Sequence, residues 1–281
     1  MTPFSFVLVA YNSGDVIGDA IRSIPGGNQI IVVDNASSDD SVEIARACGA
    51  TVVSLGSNLG FGTACNRGAE IALHERLFFL NPDARLEPGS LEALNKAFLQ
   101  YPDAAAFNPK FLNEDGSRYF RRRTKLLPRP YFFRPPMPDK DKEIEFVSGA
   151  AILIRKSVFD QIGGFDENIF LYFEDDDLSA RVIKAGHKMR YVNQAEVRHI
   201  TGTSSPQSKK MSELKEYHFM KAKIYTYRKH GVSLSILGLS VREKIRKLSS
   251  SMKKNENSYI RATSRLKAID EFRKSERHLG G

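Results

Sequence analysis

Cysteine is scarce in this chain of 281 residues, which contains only Cys48 and Cys65. Two cysteines cannot form a disulfide framework, and neither has a further ligand at the spacing of a metal site. We therefore expect both thiols to be reduced, as in a protein of the cytosol.

Long apolar runs are also absent. No stretch approaches the roughly 20 apolar residues that a helix needs to cross a bilayer. The first residues, MTPFSF, lack the positive charge of a signal peptide. The expected location is therefore the cytoplasm. A hydrophobic fraction of 41% is ordinary for a globular core, so we expect one large domain or a domain with an appendage.

The formal net charge is +9. Basic residues cluster between Arg118 and Arg134 and again from Lys209 to the end. This charge predicts partners that carry phosphate groups, namely a nucleotide, a nucleic acid or an anionic lipid. No nucleic-acid motif or aromatic and basic platform accompanies the charge, so a nucleic-acid partner is not expected.

Short apolar runs alternate with helical patterns in the first part of the chain. Phe4–Ala10, Gln29–Val33 and Thr51–Leu55 are typical of buried strands, and residues 15–24 and 41–48 of helices. The alternation predicts an α/β fold with a mainly parallel sheet.

Polar residues follow the first two predicted strands, where ligands bind in such sheets. Tyr11 and Asn12 follow one strand, and Asp34 and Asn35 follow the next. Two interpretations remain open for these loops. The polar residues either cap the next helix or bind ribose hydroxyls or a base edge.

A glycine-rich turn, GSNLGFGTACNRG, spans residues 56–68 and leads into a predicted helix. The free N–H groups at a helix start form an anion site. The turn is not a dinucleotide fingerprint, because Cys65 takes the place of the third glycine and the turn follows the third strand. It is not a P-loop, because the lysine with serine or threonine is missing.

Two polar residues later in the chain also follow predicted strands. Asp83 comes after the run Leu77–Leu80, and His199 lies beyond the last predicted strand, Lys188–Val192. Asp83 is either a metal ligand or a turn residue after Pro82. His199 is either an exposed histidine or a nitrogen ligand that completes a metal site with Asp83.

Four consecutive acids, residues 174–177, begin a predicted helix that ends near Gly186. Acids in a first turn favour the positive end of the helix dipole, which accounts for part of the cluster. Like charges beside Phe170, Tyr172 and Phe173 cost free energy unless a positive group lies opposite. A carboxylate on an apolar wall at a helix start is a candidate general base.

Two basic segments complete the chain. Residues 108–142 hold many arginines and prolines, which predicts either a mobile basic loop or a solvated surface. From Ser212 the pattern is helical, and apolar residues recur at helical spacing among lysines and arginines: Leu237, Val241, Ile245, Leu248 and Met252. Such a helix suits a membrane surface, its own domain or a protein partner.

Taken together, the motifs resemble one family. They are Val9-Ala10-Tyr11-Asn12, Val32-Val33-Asp34-Asn35-Ala36-Ser37-Ser38-Asp39, residues 58–68, Leu80-Asn81-Pro82-Asp83-Ala84, Ser148-Gly149-Ala150, Gly164-Phe165-Asp166-Glu167, Phe173-Glu174-Asp175-Asp176-Asp177-Leu178 and His199. In this order they resemble the inverting nucleotide-sugar glycosyltransferases of family 2, especially the rhamnosyltransferase-like branch. The resemblance covers roughly residues 4–230. It implies the Rossmann-like GT-A fold in residues 1–230, with a basic amphipathic helical tail in residues 231–281.

The resemblance also implies a role for each matching residue. Asp83 stands at the DXD metal position, whose first acid is here replaced by Asn81, and His199 adds a second ligand for Mg²⁺ or Mn²⁺. Asp175 is the expected base and Glu174 its neighbour in the catalytic pair. The expected donor-nucleotide contacts are Tyr11, Asn12, Asp34, Asn35, Asn58, Gly60, Phe61, Asn66 and Asn81. The expected acceptor contacts are Gly149, Asp177, Arg121, Arg122 and Arg123.

The function implied is transfer of a sugar from a nucleotide donor to a glycan or lipid-linked acceptor in surface polysaccharide synthesis. The branch points to dTDP-rhamnose as donor, with UDP-sugars as the alternative. A catalytically inactive module that binds sugar nucleotides is the other alternative. The expected location is cytoplasmic or peripheral on the inner face of the cell membrane, with the basic tail contacting the anionic surface.

Overall fold

The computed structural model describes residues 2–119, 124, 126, 138–200 and 208–279. These residues form two compact units. The first unit contains the chain up to Glu167 and the chain from Glu174 to the end of the last strand. The second contains the segment Asn168–Phe173 and the helices that begin at Lys209.

Strands and helices alternate in the first unit. They are β1 (Phe4–Ala10), α1 (Gly14–Arg22), β2 (Gln29–Asp34), α2 (Ser41–Ala47), β3 (Thr51–Ser54), α3 (Phe61–Glu70), β4 (Arg76–Leu80), β5 (Ala84–Leu86), α4 (Ser90–Gln100), β6 (Ala104–Leu112), β7 (Arg118–Tyr119), β8 (Lys142–Ile144), β9 (Ala151–Arg155), α5 (Lys156–Gln161), α6 (Glu174–Lys184) and β10 (Lys188–His199). The α/β class predicted from the sequence is confirmed.

The strands form one sheet in the order β3-β2-β1-β4-β9-β6-β10-β5, with β7 paired to β6 and β8 to β10. The first four strands are parallel. Strand β9 runs antiparallel to both β4 and β6, so the whole sheet is mixed. The end of β4 and the start of β9 therefore lie at the same edge of the sheet, with Leu80 opposite Ala151. This edge is the one formed by the carboxyl ends of the parallel strands.

Both faces of the sheet are buried, which explains why β1 is apolar except at Ser5, whose hydroxyl donates to Gln29 Oε1 at 2.6 Å. Phe6 and Leu8 pack into one core with residues of α1 and α4, whereas Val7 and Val9 pack into a second core with residues of α3 and α6. Side chains alternate between faces along a strand, so a strand covered on both sides favours apolar residues on both faces.

Two strands differ from the sequence prediction. The apolar residues 146–154 predict a strand from their pattern, but the strand begins only at Ala151, because the preceding residues form a turn. The last strand extends to His199, well beyond the predicted end at Val192, through an irregularity between Val192 and Glu196. This longer β10 carries His199 into the first unit's sheet.

The second unit is helical and basic, as predicted for the C-terminal extension. Its helices are α7 (Lys209–Lys229), α8 (Ile236–Met252) and α9 (Glu256–Leu279). Met220, Ile224, Leu239 and Ile269 form its small core. Helix α7 therefore packs with the tail, and the proposed boundary at residue 230 stays a prediction. Among the described residues, no helix has the length and apolar character to span a bilayer.

Candidate active site

The loops after β1 and β2 are held together by short hydrogen bonds. Asn12 has a left-handed backbone, with φ of 53°. Its N–H donates to Ser37 Oγ at 2.9 Å, and its Oδ1 accepts from the Ser38 N–H at 2.7 Å. Asp34 is buried, and its Oδ1 accepts from the Ser37 N–H at 3.0 Å. Tyr11, Asn12 and Asp34 therefore lie at one edge of the sheet, in loops whose shape is fixed.

Asp39 is a second bridge between these loops. Its carboxylate accepts from the Gly14 N–H at 2.9 Å and from Ser41 Oγ at 2.5 Å. Burial acts to raise the pKa of Asp39, but the hydrogen bonds from Ser41 and Gly14 outweigh it, so the pKa lies below its usual value. The charged carboxylate thus holds the start of α1 against the start of α2.

Asn35 and Asn58 bind each other and shape the turn before α3. The buried Asn35 accepts from the Leu59 N–H at 2.8 Å and donates to Asn58 Oδ1 at 2.9 Å and to the Gly60 carbonyl at 3.2 Å. Asn58 Oδ1 also accepts from the Gly60 N–H at 3.0 Å. We predicted donor contacts for both asparagines. The structure shows that the Asn35 amide holds this turn, and the donor contacts of both asparagines stay predictions.

Replacing Asn35 with alanine is expected to destabilise the protein by about 1–3 kcal/mol, because buried partners lose their hydrogen bonds. Donor affinity should fall as a secondary effect of the loosened turn. Thermal unfolding and nucleotide titration measure the two effects, and Asn113→Ala in the exposed turn at Ser117 is the control. An unchanged melting temperature with a large loss of donor affinity would instead indicate a direct donor contact.

Asn66 clamps the turn that precedes the acidic helix. Its Oδ1 accepts from the Phe165 N–H at 2.8 Å, and its Nδ2 donates to the Phe165 carbonyl at 2.9 Å. Gly164 has φ of 66°, and a Cβ there would lie 2.7 Å from Asn66 Oδ1. Both ends of the Asn66 amide hold this turn, and its donor contact stays a prediction.

Helix α3 begins beside the catalytic candidates. Gly60 precedes it with φ of 88°, and the Phe61 ring meets Phe165 edge to face at 6.1 Å. Burial, with a smaller contribution from the charge of Glu174, raises the pKa of the Cys65 thiol well above its usual value. Cys65 is thus an inert core residue close to Glu174, and the expectation of a reduced thiol is consistent with its complete burial.

Asp83 and His199 come together at the junction of β5 and β10. His199 pairs with Ala84 across these strands, and the Ile200 N–H donates to the Asp83 carbonyl at 3.0 Å. The side chains meet with His199 Nε2 3.2 Å from Asp83 Oδ1. Tyr119 Oη lies 2.6 Å from His199 Nδ1 and fixes the ring from the other side.

Tyr119 was missed by the sequence analysis. Burial and the charge of Asp83 raise the pKa of its hydroxyl, so the phenol stays protonated. A hydrogen bond to the second ring nitrogen is the usual way in which a protein orients a ligand histidine. No sequence signal identifies Tyr119, because only the pairing of β7 with β6 brings it to this position.

The pair of Asp83 and His199 fits a divalent cation. Within the described residues, no cluster of three or more side chains forms a complete metal site. A carboxylate oxygen is a ligand that Mg²⁺ and Mn²⁺ favour, and Mg²⁺ typically takes its remaining ligands from substrate phosphates and water. The donor set therefore suits a cation that is held jointly by the protein and a diphosphate.

Asp175 lies at the start of α6 with its carboxylate held by backbone groups. Its Oδ2 accepts from the Gly149 N–H at 3.3 Å, and its Oδ1 accepts from the Asp176 N–H at 2.9 Å. A Cβ on Gly149 would lie 3.8 Å from the Asp175 Cβ, so the two residues pack closely. These hydrogen bonds orient a partly exposed carboxylate toward the β9 edge of the sheet.

Asp83 and Asp175 belong to the same edge. The Asn81 N–H donates to the Ala150 carbonyl at 3.0 Å, which ties the segment after β4 to the segment before β9. Asp83 follows Asn81 by two positions, and Gly149 directly precedes Ala150. The metal candidate and the base candidate therefore lie on connected segments.

Asn108 supports this edge and was also missed. It is fully buried, accepts from the Ser148 N–H at 2.7 Å and donates to the Ala151 carbonyl at 2.5 Å. These bonds hold the turn that contains Gly149. The available signal was an amide directly after the apolar run Ala104–Phe107.

The remaining acids differ in environment. Asp177 is fully buried and its Oδ2 lies 2.7 Å from Arg181 Nε, so it forms an internal ion pair, and its acceptor contact stays a prediction. Asp176 is also buried in the first turn of α6, whereas Glu174 is half-buried. Tyr172 and Phe173 both have φ near 68°, a strained conformation directly before the catalytic pair.

The predicted acceptor contacts Arg121, Arg122 and Arg123 lie outside the described residues. Their assignment stays a prediction, as do the donor contacts of Gly60, Phe61 and Asn81.

The family is shown by comparison with known proteins. Residues 5–163 match the sequence model described as Glycosyl transferase family 2, and residues 136–204 match the one described as N-terminal domain of galactosyltransferase. The chain belongs to glycosyltransferase family 2 and is a nucleotide-sugar-dependent glycosyltransferase.

Relatives of this chain include rhamnosyltransferases. It is 32% identical over 228 residues to the N-acetylglucosaminyl-diphospho-decaprenol L-rhamnosyltransferase of Mycobacterium tuberculosis, over 69% of this chain and 74% of the relative. It is 26% identical over 213 residues to the O-antigen chain rhamnosyltransferase WbaN of Salmonella anatum, over 71% of this chain and 66% of the relative. The rhamnosyltransferase-like resemblance is confirmed.

Solved structures share the fold. GalNAc-T7, crystallised with UDP, GalNAc and Mn²⁺, matches with a TM-score of 0.61 and 15% identity, over 86% of this chain and 51% of that chain. Residues 1–349 of S. aureus TarS match with a TM-score of 0.56 and 16% identity, over 97% of this chain and 92% of that chain. At these identities the likeness supports the GT-A fold and no more.

Proposed function

We propose that this enzyme transfers rhamnose from dTDP-rhamnose to a hydroxyl group of a lipid-linked glycan, with inversion at the anomeric carbon. One observation carries the proposal. The carboxylate of Asp175 and the pair of Asp83 and His199 lie on connected segments at one edge of the sheet. Both rhamnosyltransferase relatives support rhamnose as the sugar that is transferred. The M. tuberculosis relative, an N-acetylglucosaminyl-diphospho-decaprenol L-rhamnosyltransferase, supports a lipid-linked acceptor.

In the proposed reaction Asp175 is the general base. Its carboxylate takes the proton of the acceptor hydroxyl while that oxygen attacks the anomeric carbon. The bond from this carbon to the donor diphosphate breaks in the same step, and the nucleoside diphosphate leaves on the opposite side. One base without a protein nucleophile gives a single displacement, and therefore inversion.

Asp83 and His199 would hold Mg²⁺ or Mn²⁺, and Tyr119 would orient the histidine. When bound, the cation stabilises the negative charge that develops on the leaving diphosphate. Two structural neighbours contain Mn²⁺, GalNAc-T7 and a mannosyltransferase of Pyrobaculum calidifontis, and both support a divalent cation here.

The donor nucleoside would lie against the loops after β1 and β2. Tyr11, Asn12 and Asp34 are at the carboxyl ends of these strands, where ligands bind in such sheets. The first N–H groups of α3 would face the diphosphate, because a helix start favours negative charge. Asn35 and Asn58 would act indirectly by shaping this turn.

A lipid-linked acceptor would place the enzyme at the cytoplasmic face of a membrane. The basic residues of the second unit, and those around Arg121, would face anionic headgroups and acceptor phosphates. This location is part of the proposal.

The alternative donor is a UDP-sugar, supported by the structures of GalNAc-T7 with UDP and of S. aureus TarS 1–349 with UDP-GlcNAc. Thermal-shift measurements with dTDP, UDP and their sugars, each with and without Mn²⁺, distinguish the donors. We expect the largest stabilisation with dTDP-rhamnose and Mn²⁺, followed by release of dTDP when a polyprenyl-diphosphate glycan is added. Stabilisation by UDP-sugars alone would overturn the donor, and binding without turnover would indicate an inactive module.

A further inference from the structure

Helix α8 has its polar and apolar faces reversed. Its buried residues are Leu239, Ser240, Glu243 and Ser250, and three of these four are polar. Five large apolar side chains on the same helix are instead exposed, with exposed fractions from 48% to 78%: Leu237, Val241, Ile245, Leu248 and Met252. We call these five residues the apolar stripe. A helix that only packed onto a protein core in water would show the opposite arrangement.

Specific contacts fix this orientation. Glu243 is completely buried, with its oxygens 2.7 Å from Arg246 Nη1 and 3.0 Å from Arg242 Nη2. Ser250 lies two turns further along the same face of α8, and its Oγ donates to Ser258 Oγ of α9 at 2.7 Å. Turning α8 to bury the stripe would break the hydrogen bond from Ser250 to Ser258 of α9 and would separate Glu243 from Arg265 of α9, whose Nη1 lies 3.7 Å from the Glu243 carboxylate. The stripe therefore faces outward because the polar face is held inward.

The charge around the stripe has one sign. Glu243 is the single acid in the sequence of α8, and it is buried. Lys244 lies beside the stripe, and Lys253 and Lys254 follow its last residue, all of them exposed. The outer surface of this helix thus combines large apolar side chains with uncompensated positive charge.

We propose that α8 docks in the plane of an anionic lipid bilayer, with the apolar stripe at the boundary between headgroups and acyl chains. An amphipathic helix with cations beside its apolar face binds such surfaces through buried apolar area and charge attraction. The stripe extends over about four turns, which suits a helix that lies flat and not one that crosses the membrane.

A second copy of the chain is the competing occupant. In a symmetric dimer the same face meets itself, so the lysines beside one stripe would approach those of the other. No exposed acid of α8 compensates that repulsion. The charge pattern therefore favours an anionic surface over self-association.

The inference deepens the proposal of a lipid-linked acceptor but does not depend on it, because binding is measured without donor or acceptor. The full-length protein is sedimented with vesicles of phosphatidylcholine alone and with vesicles that also contain phosphatidylglycerol. Leu248→Gln is expected to weaken binding to the anionic vesicles by about tenfold. The matched control is Leu99→Gln in α4, since Leu99 and Leu248 are 64% and 65% exposed.

The charge contribution has its own pair of variants. Lys244→Gln should weaken binding to anionic vesicles by about fivefold and leave binding to neutral vesicles unchanged. Lys96→Gln, also an exposed lysine in α4, should change neither. All variants lie on the surface, so circular dichroism should report unchanged helicity.

Two results would overturn the inference. One is a vesicle measurement in which the wild-type protein does not bind anionic vesicles, or in which the Leu248→Gln variant binds them equally well. The other is light scattering that shows a wild-type dimer, a monomeric Leu248→Gln variant and equal vesicle binding, which would make the stripe an interface between copies. Sugar transfer in detergent remains a separate measurement, so failure of docking and failure of the proposed function are distinguishable.

Discussion

Asp175→Asn is expected to lower kcat by about 10²–10⁴-fold, the usual effect of removing a general base. Donor affinity should change little, because Asp175 accepts hydrogen bonds from Gly149 and from its own helix. Single-turnover transfer and nucleotide titration measure the two quantities. Asp160→Asn, an exposed acid of α5 that pairs with Lys156, is the matched control and should keep full activity.

The amide introduced by Asp175→Asn can accept only one of the two backbone hydrogen bonds. Some loss of stability is therefore expected, and the melting temperature must be measured beside the rate. Asp175→Glu keeps the charge but displaces it, and should retain part of the activity. Wild-type turnover in a folded Asp175→Asn variant would contradict the assignment of this residue as the base.

Asp83→Asn is expected to reduce transfer by at least about 100-fold, because loss of cation charge near the diphosphate removes several kcal/mol of stabilisation. The affinity for Mn²⁺ in the presence of dTDP should fall as well, and added Mn²⁺ should restore part of the activity. Electron paramagnetic resonance of Mn²⁺ measures this binding without turnover. Asp115→Asn, in the exposed turn at Ser117, is the control.

Tyr119→Phe separates orientation from direct binding. It removes the hydroxyl near His199 Nδ1 and leaves both candidate ligands in place. Loss of such an outer contact typically costs 10–100-fold in metal affinity. Equal Mn²⁺ affinity in wild-type, Asp83→Asn and Tyr119→Phe proteins would contradict the proposed metal position.

Local patterns in the sequence determined the fold class and the order of the motifs. Strand β1 is apolar at every position except Ser5 because both faces of the sheet are covered, and this pattern can be read without a structure. The residues at strand ends were also identifiable, since the edge where ligands bind follows from the alternation of strands and helices. Even the pair of Asp177 and Arg181 carried a signal, because residues four apart on a helix are neighbours.

The partner of each polar side chain depended on contacts between distant parts of the chain. Asn35 and Asn66 looked like donor ligands, yet they hold the turns at Gly60 and Phe165. His199 meets Asp83 only because β10 extends past its predicted end and pairs with β5. In the buried strands the hydrophobic pattern indicates that both faces are covered, but it does not identify the distant residue that a buried amide contacts.

By itself, the sequence determined an α/β glycosyltransferase of family 2, the candidate base and the candidate metal carboxylate. Only the tertiary structure decided which residues support these groups and which face of α8 is exposed. The apolar spacing of α8 left a membrane surface, its own domain and a protein partner open. The contacts of Glu243 with Arg265 and of Ser250 with Ser258, both on α9, hold the polar face of α8 inward and leave the apolar stripe exposed.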